Sequence, residues 1–259
     1  MTTRVDNHSH IILADIREMI TSAQTKGLTD FSVTEHVSQF RELRESMMFG
    51  SIHNTGRIFQ SLKEYEMEFG NIGEIAEGMR VHRGLEVDFS PRFESKVAEF
   101  VNRAQWDVLL CSVHEFEDKE DIERDFGGSS NYVPYSRWRD YLRLETMALE
   151  SDLVPFHVLA HPVRMSRGLD RYPAEMEDLL LDLATKARER GKALELNGKD
   201  FDYAPQLVRM LSIACSKAGC KVSLGSDAHY SREVFQNLAT AEKLVEEFKL
   251  DKFVPAAAA

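Results

Sequence analysis

"DIREMITSAQTKGLTDFSVTEH" (15–36) carries two periodicities in one run. In its first half apolar residues recur at Ile16, Met19, Ile20 and Ala23, a spacing that places them on one side of a helix, and Gly27 ends the pattern. Its second half, "DFSVTEH" (30–36), is a short β-prone run that closes on Glu35 and His36. A helix that passes directly into a strand is half of a β–α–β unit, and the rest of the chain shows that the unit repeats.

Strands are predicted at "RVDNH" (4–8), "DFSVTEH" (30–36), "RVHRGLEVD" (80–88), "WDVLLCSVH" (106–114), "FHVLAHP" (156–162), "ALELNG" (193–198) and "KVSLGSDAH" (221–229). Helical patterns lie between them. One spans 91–104, opens on Pro91 and carries Phe93, Val97, Phe100 and Val101; another spans 135–151 through Leu142, Leu144 and Met147. Others span 173–191, 204–219 and 231–248, the last with Ser231 as its N-cap. Strand and helix alternate around a seven-strand count, which predicts a parallel α/β architecture; right-handed crossovers then favour a closed or nearly closed barrel. Two connections exceed what such units need: 37–79, with an irregular stretch at 38–54 before a helix at 56–70, and 115–135, acidic and then Gly/Ser-rich.

The 259 residues suit one barrel domain over the whole chain, and 43% hydrophobic residues supply its core. A net charge of -11 argues against nucleic-acid binding. Three cysteines without a C-x-x-C fit a reducing cytoplasm, the N-terminus lacks the apolar core of a signal peptide, and no apolar run reaches membrane-spanning length.

The nine histidines are not scattered. "VDNHSH" (5–10) sets Asp6, His8 and His10 two apart, on one side of an extended strand. His36, His114, His161 and His229 also stand at or just past predicted strand ends, so six histidines share the carboxyl ends of five strands. Glu86 and Asp227 lie at the same level and Asp15 follows the first strand. In parallel barrels that rim is where loops converge on an active site. Imidazoles and carboxylates together suit divalent Mn, Fe or Zn. His53, His82 and His157 fall elsewhere and read as structural.

In this order the motifs "DNHSH", "VTEH", "GLEVD", "CSVH", "LAHP" and "GSDAH" resemble the polymerase and histidinol phosphatase (PHP) family of metallohydrolases over nearly the whole chain. The resemblance implies a distorted seven-stranded β/α barrel, TIM-like, with two or three metal ions at the carboxyl rim. It implies a first site of His8, His10, Glu86 and Asp227, a second of Glu86, His114 and His161, and a third of Asp15, His36 and His229. Asp15 has the five-residue spacing that some relatives use where others place a histidine, which leaves open a differently tuned third site. Glu86, His161, Asp227 and His229 are the expected catalytic groups, while Asp6 and Glu35 are expected to orient ligand imidazoles.

The expected activity is metal-dependent hydrolysis of a small phosphomonoester, L-histidinol phosphate first among candidates, with divalent ions activating water near neutral pH. Arg164, three residues past His161, and Lys199, after "ELNG", are candidates to hold the phosphate; for Lys199 a plain surface charge is an equal reading. Tyr132, Tyr135 and Trp138 read either as a lid or as the packing face of a helix. The alternatives are a phosphodiesterase or cyclic-phosphate hydrolase with the same metals, and a non-catalytic, metal-stabilised regulatory module.

Overall fold

A computed structural model of the chain describes residues 3–47, 56–70, 72, 75–114, 135–164 and 172–256. Seven parallel strands stand side by side in chain order: β1 (Val5–Asp6), β2 (Asp30–His36), β3 (Arg80–Asp88), β4 (Val108–Ser112), β5 (Val158–Leu159), β6 (Ala193–Asn197) and β7 (Val222–Gly225). Between β1 and β2 lies α1 (Ile16–Thr25); α2 (Arg41–Met47) and α3 (Leu62–Glu68) precede β3, and α4 (Glu94–Val101) precedes β4. Helix α5 (Tyr135–Glu150) leads to β5, α6 (Met176–Glu189) to β6, and α7 (Asp200–Tyr203) with α8 (Pro205–Ala218) to β7; α9 (Leu238–Phe248) follows.

The helices form for the reasons their patterns give. Ile16, Met19, Ile20 and Ala23 of α1 are all buried, and the Asp15 carboxylate accepts from the Arg17 N–H at 2.7 Å to cap it. In α8, Pro205 opens the helix and Gly219, at φ 69°, closes it in the left-handed conformation that glycine adopts without strain. The apolar faces of the helices and the outer faces of the strands form one core.

The sheet nearly closes on itself. Asn7 N–H donates to Leu224 O, Asp227 N–H to His8 O and His10 N–H to Ala228 O, each at 2.8 Å. Regular β1 is only two residues long because the chain then serves two neighbours: Ser9 bridges to Ala228 while its carbonyl accepts from Thr34 N–H at 2.8 Å. Strand β5 is equally short of its expected 156–162 span. The barrel is therefore distorted, as the resemblance implies.

Other segments also depart from expectation. Residues 41–47 form α2 rather than irregular chain, with Phe40 and Leu43 buried against the core. The helix expected from Ser231 starts only at Leu238: 231–233 form a 3-10 turn, and Phe235 and Asn237 take φ of 61° and 58°. Long-range bonds hold that bend, with Phe235 N–H on the Asp6 carboxylate at 2.8 Å and the Asn237 amide on Gly198 O at 2.9 Å. Trp138 is buried, which selects its packing reading; Tyr132, the Tyr135 side chain and His53 lie outside the described residues. No helix among the described residues is long and apolar enough to cross a membrane.

At the amino end of the barrel Val108, Leu110, Val158, Ala160 and Ala193 form a separate small cluster, and Phe253 packs against it. Phe253 stacks on His157 at a centroid distance of 5.8 Å, donates its N–H to Val222 O at 2.7 Å and accepts from the Asn7 amide at 3.2 Å. The C-terminal segment thus plugs the barrel floor. Phe253→Ala is expected to cost about 1–3 kcal/mol by denaturant unfolding, less than a fully buried phenylalanine because the ring is only half-buried. Met67→Ala, at a residue 70% exposed, serves as the control with little change.

Candidate metal centre

Glu86 stands at the middle of the carboxyl end of the barrel, buried on β3 and in register with His36 on β2. Its two oxygens face different groups. Oε1 lies 3.0 Å from His161 Nε2 and 3.4 Å from His114 Nε2. Oε2 lies 2.9 Å from His36 Nδ1, 3.2 Å from His8 Nε2 and 3.4 Å from His10 Nε2, yet accepts no hydrogen bond from any of them. Asp227 Oδ1 is 3.5 Å from His10 Nε2 and 3.9 Å from His8 Nε2. Among the described residues, four triads bring their ligand atoms within 4.8 Å of one another: His8–His10–Asp227, Glu86–His114–His161, His10–His36–His229 and His36–Asp88–His114.

These residues fit divalent ions. Imidazole nitrogens converge on a carboxylate oxygen without hydrogen-bonding to it, an arrangement that a cation between them would satisfy. Against burial, which lowers it, Glu195, Glu86 and Asp227 hold His8 well above the ordinary imidazole range. The field that favours a proton on His8 also favours a metal cation. Burial would raise Glu86, but His36, His8 and His114 hold it well below the usual carboxylate range; Lys199, Arg164 and His8 do the same for Asp227 against its burial. His161 is pushed down to about 3 by burial and then by Arg164, which keeps the imidazole neutral, the form that binds metal.

A layer of buried groups fixes these side chains. Glu195 on β6 receives His8 Nδ1 at 2.8 Å and the His161 N–H at 2.8 Å, and Glu35 faces His10 Nδ1 at 3.3 Å. Asp88 pairs with His114 Nδ1. Asp6 accepts from Ser226 N–H at 2.8 Å, Ser226 Oγ at 2.6 Å and Phe235 N–H at 2.8 Å. It therefore holds the loop after β7 rather than an imidazole, which corrects its expected role; Glu35 keeps its own. His161 and Asp227 sit at φ 36° and 57°, strained for residues with a side chain. The His161 carbonyl accepts from the Tyr141 hydroxyl at 3.0 Å and from Arg164 N–H at 2.9 Å, which pins the first of these strained turns.

The histidines expected at the rim, His8, His10, His36, His114, His161 and His229, meet there with Glu86 and Asp227. Asp15 does not join them. It is exposed and caps α1, and His10 stands with His36 and His229 where Asp15 was expected. Asp88, two residues past Glu86 and so on the same face of β3, is the carboxylate that the sequence reading left without a role. Lys199 Nζ lies 3.2 Å from Asp227 and 3.1 Å from His229 Nδ1, inside the site's mouth rather than on a plain surface loop. Arg164 is buried and bound to Asp200 and Asp227. His82 pairs with Asp30 at 2.9 Å, and His157 accepts the Leu109 N–H at 2.9 Å, both structural as expected. Glu195 gave one signal, a lone acid between two leucines of the "ALELN" strand.

Gly225 makes the His8–Glu195 contact possible: a Cβ there would overlap Glu195 Oε1 and His8 Cβ. Gly225→Ala is expected to cost about 1–3 kcal/mol in chemical unfolding and to lower metal uptake measured by elemental analysis; wild-type values for both would refute the close fit. Under the Tyr141 hydroxyl lies Glu145, fully buried and held well above its ordinary 4.5 by burial. The folded chain keeps a proton that the unfolded chain releases above 4.5, so this group's effect is a stability that falls as pH rises past that value, by at most about 1.4 kcal/mol per unit. Glu145→Gln is expected to flatten melting temperature against pH between about pH 5 and 8, and a slope equal to wild type would contradict this.

Known proteins match this chain over most of its length. The histidinol-phosphatase of Lactococcus lactis subsp. lactis (strain IL1403) is 27% identical over 252 residues, covering 92% of this chain and 88% of the relative. A probable histidinol-phosphatase of Deinococcus radiodurans is 29% identical, covering 94% and 93%. The crystal structure of histidinol phosphate phosphatase from Lactococcus lactis, complexed with zinc, L-histidinol and phosphate, superposes with a TM-score of 0.80 at 21% identity over 98% of this chain and 97% of that one, a likeness of fold. Residues 6–199 match the PHP domain, and the chain belongs to the PHP domain family.

Proposed function

We propose that this protein is a metal-dependent phosphomonoesterase acting on a small phosphorylated metabolite, with L-histidinol phosphate as its substrate. The observation that carries the reading is the split of Glu86 between two imidazole groups, Oε1 toward His114 and His161 and Oε2 toward His8, His10 and His36. One carboxylate so placed suits two neighbouring ions among two or three of Mn, Zn or Fe. Bound divalent ions supply Lewis acidity to phosphoryl oxygens and lower the pKa of water.

The protein supplies position. His8, His10 and Asp227 would hold one ion and Glu86, His114 and His161 a second; His36 and His229 remain for a third, a weaker set unless it takes His10 from the first. Lys199 and His229 are the members that reach solvent, with side chains 27% and 21% exposed, so a phosphate would enter on their side. There the Lys199 ammonium can donate to a phosphoryl oxygen. Support for a histidinol-type leaving group comes from the Lactococcus and Deinococcus relatives, both similar over most of their length.

The test is a turnover screen over phosphorylated metabolites with Mn, Zn or Fe added, beside elemental analysis of the same sample. Two or three ions per chain and preferred release of phosphate from L-histidinol phosphate are expected. Glu86→Gln and His161→Ala are each expected to lose at least about 100-fold in kcat/KM at saturating metal, on the order of 2.7 kcal/mol of transition-state stabilisation. Absence of metal, or turnover of diesters in preference to monoesters, would overturn the reading.

A further inference from the structure

Arg164 reads from sequence as a phosphate contact, but its surroundings point elsewhere. The guanidinium is buried, 4% exposed, in the turn after β5. Nε–H donates to Asp200 Oδ1 and Nη2–H to Asp227 Oδ2, each at 2.8 Å. Asp200 is itself 1% exposed and is the first residue of α7, on the connection leaving β6. The contact therefore ties together the chain segments that follow β5, β6 and β7.

The two oxygens of Asp227 are divided. Oδ2 is taken by Arg164, and Oδ1 faces His8 Nε2 and His10 Nε2 at 3.9 and 3.5 Å. A carboxylate gripped at one oxygen cannot rotate freely, so Arg164 fixes the direction in which the other oxygen points. Charge needs the third member. A buried guanidinium beside a metal ligand would repel divalent ions, and it would be costly to bury without a counter-charge. Asp200 supplies that counter-charge at Nε, while Nη2 holds Asp227. The Asp200–Arg164 pair is then neutral as a unit while still donating to Asp227. A carboxylate that orients a metal-binding histidine works in the same way, with an arginine and a carboxylate here replacing the imidazole and its ligand nitrogen.

We infer that Asp200 and Arg164 form a buried relay that orients Asp227 for metal binding, which makes Asp200 a positioning residue for the His8–His10–Asp227 site. The inference rests on the proposed reading of those three residues as a metal site. It differs from a phosphate-contact role in what it moves. A phosphate contact changes KM and leaves metal affinity alone. The relay changes the affinity of one ion and leaves the other ions as they were.

Zinc alone, titrated into chelator-stripped full-length protein against a competing chelator, reads this directly. Asp200→Asn is expected to bind one ion of the set 10- to 100-fold more weakly, about the loss that follows removal of a group orienting a metal ligand, and Asp200→Glu is expected to recover part of it. Because Asp200→Asn leaves the guanidinium buried without its partner and can unfold the chain, the Arg164→Met/Asp200→Leu double variant is measured alongside, with circular dichroism and melting to confirm the fold. It carries no stranded charge and is expected to show the same loss at the same ion. Wild-type zinc affinity at every ion in either folded variant would overturn the relay. So would a change confined to KM. Zinc binding by the wild type without turnover of any phosphomonoester would overturn the proposed activity alone, so the two failures are distinguishable.

Discussion

The backbone hydrogen bonds from Asn7 to Leu224, from Asp227 to His8 and from His10 to Ala228 close the barrel, and they run through the metal-binding stretches themselves. The motif nearest the N-terminus and the motif after the last strand meet only when the sheet closes. A site drawn from both ends of the chain cannot assemble locally; it appears with the complete barrel and is lost with it. The same seam explains why β1 is so short. Residues that would have extended it are bent to present His8 and His10 inward while their backbone groups still find partners on β2 and β7. Regular pairing is given up there in exchange for ligand placement.

Burying so many ionisable groups at one end of a small barrel is unfavourable unless each finds a partner. The structure meets this demand with backbone donors as much as with cations. Asp6 takes three N–H groups and a hydroxyl; Glu35 takes the N–H groups of Ile11 and His36 at 2.9 and 3.0 Å. Glu195 divides itself among the His8 imidazole, the N–H of His161 and the Asn197 amide. Most of these bonds tie a side chain on one strand to a group on another segment, so satisfying the buried charge also fixes the angle at which the imidazoles project. The strained backbone of His161 and Asp227 persists because these bonds determine it from several sides.

This division also accounts for what could be read from sequence. Strand ends were legible because they follow a local rule: a β-prone run, a histidine or carboxylate, then a turn. Hence the seven strands and the eight rim residues from His8 to His229 were recognisable without coordinates. What the sequence did not disclose depends on contacts far along the chain. Asp15 and Asp88 are both acids near a strand end. Only the course of the backbone shows that one caps α1 in solvent and the other shares the inner face of β3 with Glu86. The helical periodicity of 231–248 is real, but Asp6 and Gly198 claim its first residues, and no local propensity contains that demand. Arg164 was visible as a cation near the mouth, while its two carboxylate partners, 36 and 63 residues onward, were not.

Charge gives the last link between the fold and an anionic substrate on a chain of net charge -11. Exchanging Asp15 for Asp88 leaves three carboxylates among the metal-facing groups, Glu86, Asp88 and Asp227. Around them, Glu35, Glu195 and Asp200 add three more, while Arg164 and Lys199 return two positive charges. With neutral imidazoles, these eight groups together carry an excess of four negative charges. One divalent ion leaves a phosphate facing a negative mouth. Two bring the cluster to neutrality, and a third makes it positive. On the proposed reading, then, this acidic barrel would attract a phosphate dianion through its bound ions. On that reading the metal-facing carboxylates would hold the ions and the others would fix the ligands, and the ions, not the protein's own side chains, would provide most of the positive field that a phosphoryl group meets.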